Sequence, residues 1–324
     1  MPPFDRRAIP AEAREGTWLA ADGWAIRRID WPRPSGTVGG TVGGTARGSI
    51  LFLPGRGDCY EKYLETLDQW HRGGWHVTAL DWRGQAGSGR LGADGVTGHI
   101  DDFSTWTADL AAFWADWHGQ TPGPHVVIGH SMGGHLALRT IAEGGIAPAA
   151  AVLSAPMLGF AAALLPDAVM HQAAKLMASL RDRRRPAWKW SERPGETADA
   201  RADLLTHDQE RYADEIWWRN HRPETAMGPG SWGWVERAYA SMRWLAGPAV
   251  LARVTCPVLL LCVDYDRLVG AKSTERVAGF LPKGQLVHYG AEARHEILRE
   301  VDAVRDKVLA EIDTFLSRVA PPTA

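Results

Sequence analysis

Gly129-His130-Ser131-Met132-Gly133 places a serine between two glycines. His125 to Ile128 before it reads as a short buried strand, and Gly134 to Ile141 after it as a helix. A serine hydroxyl is a poor nucleophile until a tight turn exposes it beside a base. A strand-to-helix corner does this, and glycines keep the corner free of side-chain clashes. The chemistry implied is attack on a carbonyl through a covalent intermediate. That chemistry requires a histidine to take the serine proton and a carboxylate to orient the histidine. In chain order the acid follows the nucleophile and the histidine comes last. Val263 to Val269 offers two acids just past a sheet strand, Asp266 and Asp264. Asp266 is favoured, because the turn has to carry the carboxylate back over the sheet edge. Gly290 to Glu296 follows the last strand and supplies His295, whereas His288 lies inside that strand as a packed histidine. The other ten histidines precede the acid, and His130 reads as a structural residue of the corner. The oxyanion formed on the attacked carbonyl needs backbone donors. These are the N–H of Met132, directly after the serine, and that of Arg56 in the loop Leu53-Pro54-Gly55-Arg56-Gly57.

The elements that must hold these groups alternate as strand, helix, strand, helix, which marks a parallel sheet covered on both faces. An antiparallel pair around Asp22-Gly23 opens the chain, and Thr37 to Gly44 repeats Thr-Val-Gly-Gly as a flexible loop. Strands are expected at Ser49 to Leu53, Trp75 to Leu80, Ala149 to Ser154, Pro257 to Val263 and Gly284 to Tyr289. Helices are expected at Asp58 to Arg72, Asp102 to His118 and Glu296 to Val319. Residues 159–247 interrupt the alternation and are rich in tryptophan, as an inserted lid would be. Residues 1–158 and 248–324 then form the core. Trp232 and Trp234 are the candidate substrate-binding residues of the lid, since aromatic side chains over a serine suit an apolar acyl group.

A chain of 324 residues can bury one large core, and 45% apolar with 23% charged residues is ordinary for a globular protein. A formal charge of −2 provides no field to recruit nucleic acid. Cys59, Cys256 and Cys262 form an odd set without metal-ligand spacing, which suggests a reducing compartment. No metal or organic cofactor is implied. The N-terminal residues lack the apolar core of a signal peptide, so a cytoplasmic protein is expected. Gly144 to Pro166 carries no charged side chain, but Pro148, Pro156 and Pro166 break it, so a buried strand and loop are expected instead of a membrane span. Arg183-Arg184-Arg185 with Trp188-Lys189-Trp190 is the one feature suited to weak peripheral contact with an anionic membrane.

The 53–57 loop, Asp81-Trp82-Arg83-Gly84-Gln85-Ala86-Gly87-Ser88-Gly89, Gly129 to Gly134, Asp266 and Arg294-His295-Glu296 together resemble the α/β-hydrolase superfamily. They look most like its bacterial lysophospholipase and monoacylglycerol lipase branch. The likeness extends to Ala155 to Gly159, Leu204 to Asp208 and Ser231 to Trp234, and so covers most of the chain. It implies an α/β fold with a helical lid, and a serine carboxylester hydrolase acting through an acyl-enzyme on monoacyl lipids or small esters. The same machinery serves an acyltransferase or a small-residue aminopeptidase, and the fold also serves non-catalytic receptors. One departure stands out: many lipase relatives open the oxyanion loop with His-Gly, where Pro54-Gly55 stands here.

Overall fold

The computed structural model describes residues 4–32, 47–161, 165–189 and 199–321. The Thr37 to Gly44 repeat and Trp190 lie outside these residues. Eight strands form one sheet in the order β1-β2-β4-β3-β5-β6-β7-β8. They are β1 (Arg14–Leu19), β2 (Ala25–Trp31), β3 (Gly48–Leu53), β4 (Trp75–Leu80), β5 (His125–His130), β6 (Ala150–Ser154), β7 (Val258–Val263) and β8 (Gly284–Tyr289). β1 and β2 pair antiparallel, as does β2 with β4, and every other pairing is parallel. The helices are α1 (Leu64–Arg72), α2 (Phe103–Gln120), α3 (Met132–Ala142), α4 (Asp167–Ser179), α5 (Asp199–Leu205), α6 (Gln209–His221), α7 (Trp232–Leu245), α8 (Pro248–Leu251), α9 (Ala271–Phe280) and α10 (Asp302–Val319).

Strands β3, β5, β6 and β7 are buried at every position, as central parallel strands must be when helices cover both faces. Their period-two alternation sends side chains into two cores. Leu51, Leu53, Val127 and Leu260 meet the tryptophan-rich face of α2 together with α3, α7 and α9. Ile50, Phe52, Val126, Ile128, Leu259 and Leu261 meet α1 and α10 on the other side. The interrupting segment between β6 and β7 holds α4 to α8. It belongs to both cores: Trp234, Tyr239 and Met242 of α7 join the first, and Trp218 of α6 joins the second.

Two expected helices are divided. Over Asp58 to Arg72, a 3-10 turn at Tyr60–Tyr63 precedes α1. Over Glu296 to Val319, a short turn at Ile297–Arg299 comes first, and the extended Glu300 and Val301 separate it from α10. The first turn runs directly into α1, whereas at the second break the buried Glu300 carboxylate accepts the N–H groups of His207 and Arg294. Helix α9 lies after β7, where no element was expected. His288 of edge strand β8 is exposed, not packed as expected, because a lateral strand leaves one row of side chains to solvent. Among the described residues, no helix is long and apolar enough to cross a membrane.

Candidate active site

Ser131 ends β5 and caps α3 with φ 50° and ψ −117°, a left-handed conformation that a side-chain-bearing residue adopts only where its surroundings demand it. The surroundings here are the sheet and the following turn. The Ser131 N–H donates to Ser154 O at 2.9 Å, and its carbonyl accepts from Met157 N at 3.0 Å and His135 N at 3.1 Å. The glycines around it are explained by contact. A Cβ on Gly133 would lie 2.2 Å from the carbonyl oxygen of Leu53, and one on Gly129 would lie 2.6 Å from the backbone nitrogen of Gly134. The corner therefore closes only if both positions lack side chains.

The two candidate acids have different partners. Asp266 Oδ2 lies 2.7 Å from His295 Nδ1, and both side chains are buried. Asp266 Oδ1 accepts the N–H groups of Leu268 at 2.7 Å and Val269 at 3.1 Å. Burial alone would raise the Asp266 pKa, but His295 and these two amides more than offset it, and the carboxyl titrates below its usual range. An ionised carboxylate can only accept, so the shared proton sits on His295 Nδ1 and Nε2 is the basic nitrogen. For His295, burial pushes the pKa down, while Asp266, Glu296 and Asp58 outweigh it and raise it. Asp264 instead holds His288 at 2.6 Å on the surface.

Ser131 and His295 line one cavity of about 760 Å³, together with Trp232 and Trp234 of α7. Met132 begins α3, so its N–H points from the first helical turn, where no intrahelical acceptor exists. Around Arg56 the neighbouring amides are committed: Gly55 N–H to Asp58 Oδ2 at 3.0 Å and Gly57 N–H to Gln85 Oε1 at 2.8 Å. The Arg56 N–H has no protein acceptor among the described residues. The Asp81 to Gly89 segment acts here as a buttress. Gln85 fixes Gly57, and Trp82 Nε1 donates to Pro54 O at 2.8 Å.

Sequence reasoning missed the ionic cluster behind the site. Lys62 Nζ contacts Asp58 Oδ1 at 2.5 Å, Glu296 Oε1 at 2.5 Å and Glu215 Oε2 at 3.0 Å, with its side chain only 1% exposed. Arg299 pairs with Glu296 and Glu215, and Tyr63 donates to Asp58. The cluster joins the oxyanion loop through Asp58, the histidine loop through Glu296 and helix α6 through Glu215. Asp58, His130 and Glu296 come close enough to suit a metal, but Lys62 already occupies the space between the two carboxylates. An ammonium there leaves no room for a cation. Desolvation pushes the His130 pKa down to about 4, with the His295 charge adding to it, so His130 stays neutral in its structural place. Cys59 is buried, and burial raises its thiol far from reactivity. The spacing signal for the cluster was weak: Asp58 and Lys62 are four apart and Glu296 and Arg299 three apart, as in any helix.

In the basic patch, Arg184 pairs with Asp182, Arg183 lies 3.8 Å from both Asp101 and Glu236, and Arg185 stacks over Trp232 and donates to Met177 O. Trp188 lines the cavity mouth, stays 46% exposed and meets Trp234 edge-on.

The family model described as serine aminopeptidase S33 matches residues 44–302. Lysophospholipase L2 of Escherichia coli (strain K12) is 30% identical over 286 residues, which cover 85% of this chain and 82% of that protein. A soluble variant of monoglyceride lipase from Saccharomyces cerevisiae superposes with a TM-score of 0.74 at 19% identity, over 99% of both chains. The monoacylglycerol lipase of Paleococcus ferrophilus superposes at 0.66 with 18% identity, over 90% of this chain and 98% of that one. These likenesses identify the sheet and its helices as the α/β-hydrolase fold.

Proposed function

We propose, from the premise that the chain belongs to the serine aminopeptidase S33 family and is a hydrolase of the esterase and lipase type, that it cleaves monoacyl lipid esters through an acyl-enzyme on Ser131. The observation that carries this reading is the buried Asp266–His295 pair at 2.7 Å, with His295 and the strained Ser131 lining the same cavity. Ser131 Oγ attacks the ester carbonyl carbon as His295 Nε2 takes its proton. The oxyanion is held by the N–H groups of Arg56 and Met132. The intermediate collapses, the carbon–oxygen bond breaks, and the departing alcohol takes the proton from His295. Water, deprotonated by the same nitrogen, then releases the fatty acid and regenerates the serine.

Residues 159–247 act as the lid, and Trp232 and Trp234 with Phe160, Met170 and Leu204 offer the acyl chain an apolar wall. An aminopeptidase on the same fold would need a free carboxylate for the substrate ammonium. Among the described residues, the acidic Asp58 and Glu296 on this wall are paired with Lys62 and Arg299, and the other charged side chains on it are Arg56, Arg201 and Arg267. An ester with no ammonium at the scissile end fits better. A fluorophosphonate probe should label wild type and not Ser131→Ala. The variant should lose monoacyl ester turnover by on the order of 10⁶ while staying folded. Near-normal turnover by folded Ser131→Ala would remove the serine from the mechanism.

A further inference from the structure

The oxyanion loop contributes a side chain as well as an amide. The Arg56 guanidinium lies 5.2 Å from the ring centre of Trp188 and 5.0 Å from that of Trp234, inside the cavity that Ser131 lines. One of its nitrogens donates to Gly228 O at 2.8 Å. Its Nε is buried with no partner, and no carboxylate is within ion-pair distance of it among the described residues. Burial, reinforced by the charge of Arg201, lowers its pKa to about 9. Arg201 lines the same cavity, and Arg267 stands exposed on its wall. The nearby carboxylates Asp58 and Glu296 are held by Lys62 and turn no net negative charge toward Arg56.

A desolvated cation is costly unless an anion joins it. Two indole faces and the Gly228 carbonyl satisfy a guanidinium only in part, which leaves N–H groups to donate to an anion that enters the cavity. Phosphate oxygens accept such charge-assisted hydrogen bonds. The position also fits. A single arginine side chain separates the guanidinium from the amide that faces the reacting carbonyl. In a monoacyl phospholipid, the glycerol carbons separate ester from phosphate by a comparable number of bonds.

We propose that Arg56 forms an anion subsite that takes the phosphodiester of a monoacyl phospholipid whose ester lies at Ser131. This rests on the esterase reading above and adds the chemistry of the headgroup. The test compares kcat/KM for 1-acyl lysophosphatidylglycerol and 1-monoacylglycerol of the same acyl chain, below their aggregation limits, in wild type, Arg56→Gln, Arg56→Lys and Arg201→Gln. The preference for the phospholipid should fall tenfold or more in Arg56→Gln, less in Arg201→Gln, and return in part in Arg56→Lys. In wild type, sn-glycerol 3-phosphate should inhibit p-nitrophenyl butyrate hydrolysis competitively, and glycerol at the same concentration should not. A preference unchanged within twofold in folded Arg56→Gln overturns the subsite, as does absence of inhibition by glycerol 3-phosphate. If Arg56→Gln leaves the preference intact but relieves inhibition by free fatty acid, the arginine reads the product carboxylate and the phosphate assignment fails. Should wild type cleave neither lipid, the esterase reading itself fails, a result distinct from an unchanged preference. If Arg56→Gln does not fold, Arg56→Lys and the wild-type inhibition decide.

Discussion

At Asp266 and Asp264, two carboxylates two residues apart meet opposite fates. Asp266 is buried, accepts two backbone amides and faces His295, while Asp264 turns outward to His288. The difference lies in the turn after β7: the Asp264 N–H still donates to Tyr289 O of β8, which sets its side chain beside His288, whereas Asp266 lies in the turn that its own N–H closes onto Val263 O. Asp266→Asn should therefore lower turnover by about 10⁴ by stabilising the wrong histidine tautomer, with Asp264→Asn nearly silent. A larger loss in Asp264→Asn would exchange their roles. The pH profile adds an independent reading. His295 acts as a base only when neutral, and its raised pKa means that it stays protonated to a higher pH than an ordinary histidine. The acid limb of kcat/KM should lie above about 6.5. In Asp266→Asn the attracting charge is gone, so the residual activity should show that limb at lower pH. A limb that does not move would mean that another group sets it.

Among the elements, the turn at Tyr60–Tyr63, the turn at Ile297–Arg299 and helix α6 are fastened together by Lys62 and its three carboxylates. The ammonium is fully buried, and its pKa is raised because the attraction of Asp58, Glu215 and Glu296 exceeds the cost of burial. Lys62→Met would leave Asp58, Glu215 and Glu296 with less positive charge in a dry interior. Removing one partner of such a buried group costs about 3–5 kcal/mol, far more than losing an exposed pair. The urea midpoint of Lys62→Met should fall accordingly, with an unchanged slope. A loss below about 1 kcal/mol would mean that water reaches the cluster and screens it. The strands were legible in the sequence because runs such as Val-Leu-Leu-Leu-Cys-Val tolerate only a doubly covered parallel position. The divided helices were not, since the break at Glu300 and Val301 is made by long-range partners. Glu300 is fully buried and accepts from His207 and Arg294. Helical periodicity is blind to such contacts.

For the whole molecule, the consequence of the inserted segment is cooperative. Tryptophans of α6 and α7 sit in the two cores on opposite faces of the sheet, so the insertion cannot melt without opening both. Urea unfolding followed by tryptophan fluorescence and by far-ultraviolet circular dichroism should give coincident transitions. An earlier fluorescence transition would show a lid that unfolds on its own. A membrane contact through the basic patch has less charge to offer than its sequence suggests, because Arg184 is paired with Asp182 and Arg185 is turned onto Trp232.

The sequence by itself determined where most strands lie along the chain, the glycine-flanked serine corner and, through its motifs, the likeness to the family, because strands and corner rest on local steric or burial rules. Glycine where a Cβ would strike backbone, and continuous apolar runs where both faces are covered, are demands that a few adjacent residues reveal. Only the tertiary structure decided that Asp266 and not Asp264 meets His295. The same holds for the Lys62 cluster behind the oxyanion loop and for the guanidinium that Arg56 brings into the cavity with no carboxylate partner among the described residues. Those outcomes depend on desolvation and on pairing between residues brought together from separate loops and elements, and the free energy of a charge is set by what surrounds it in space.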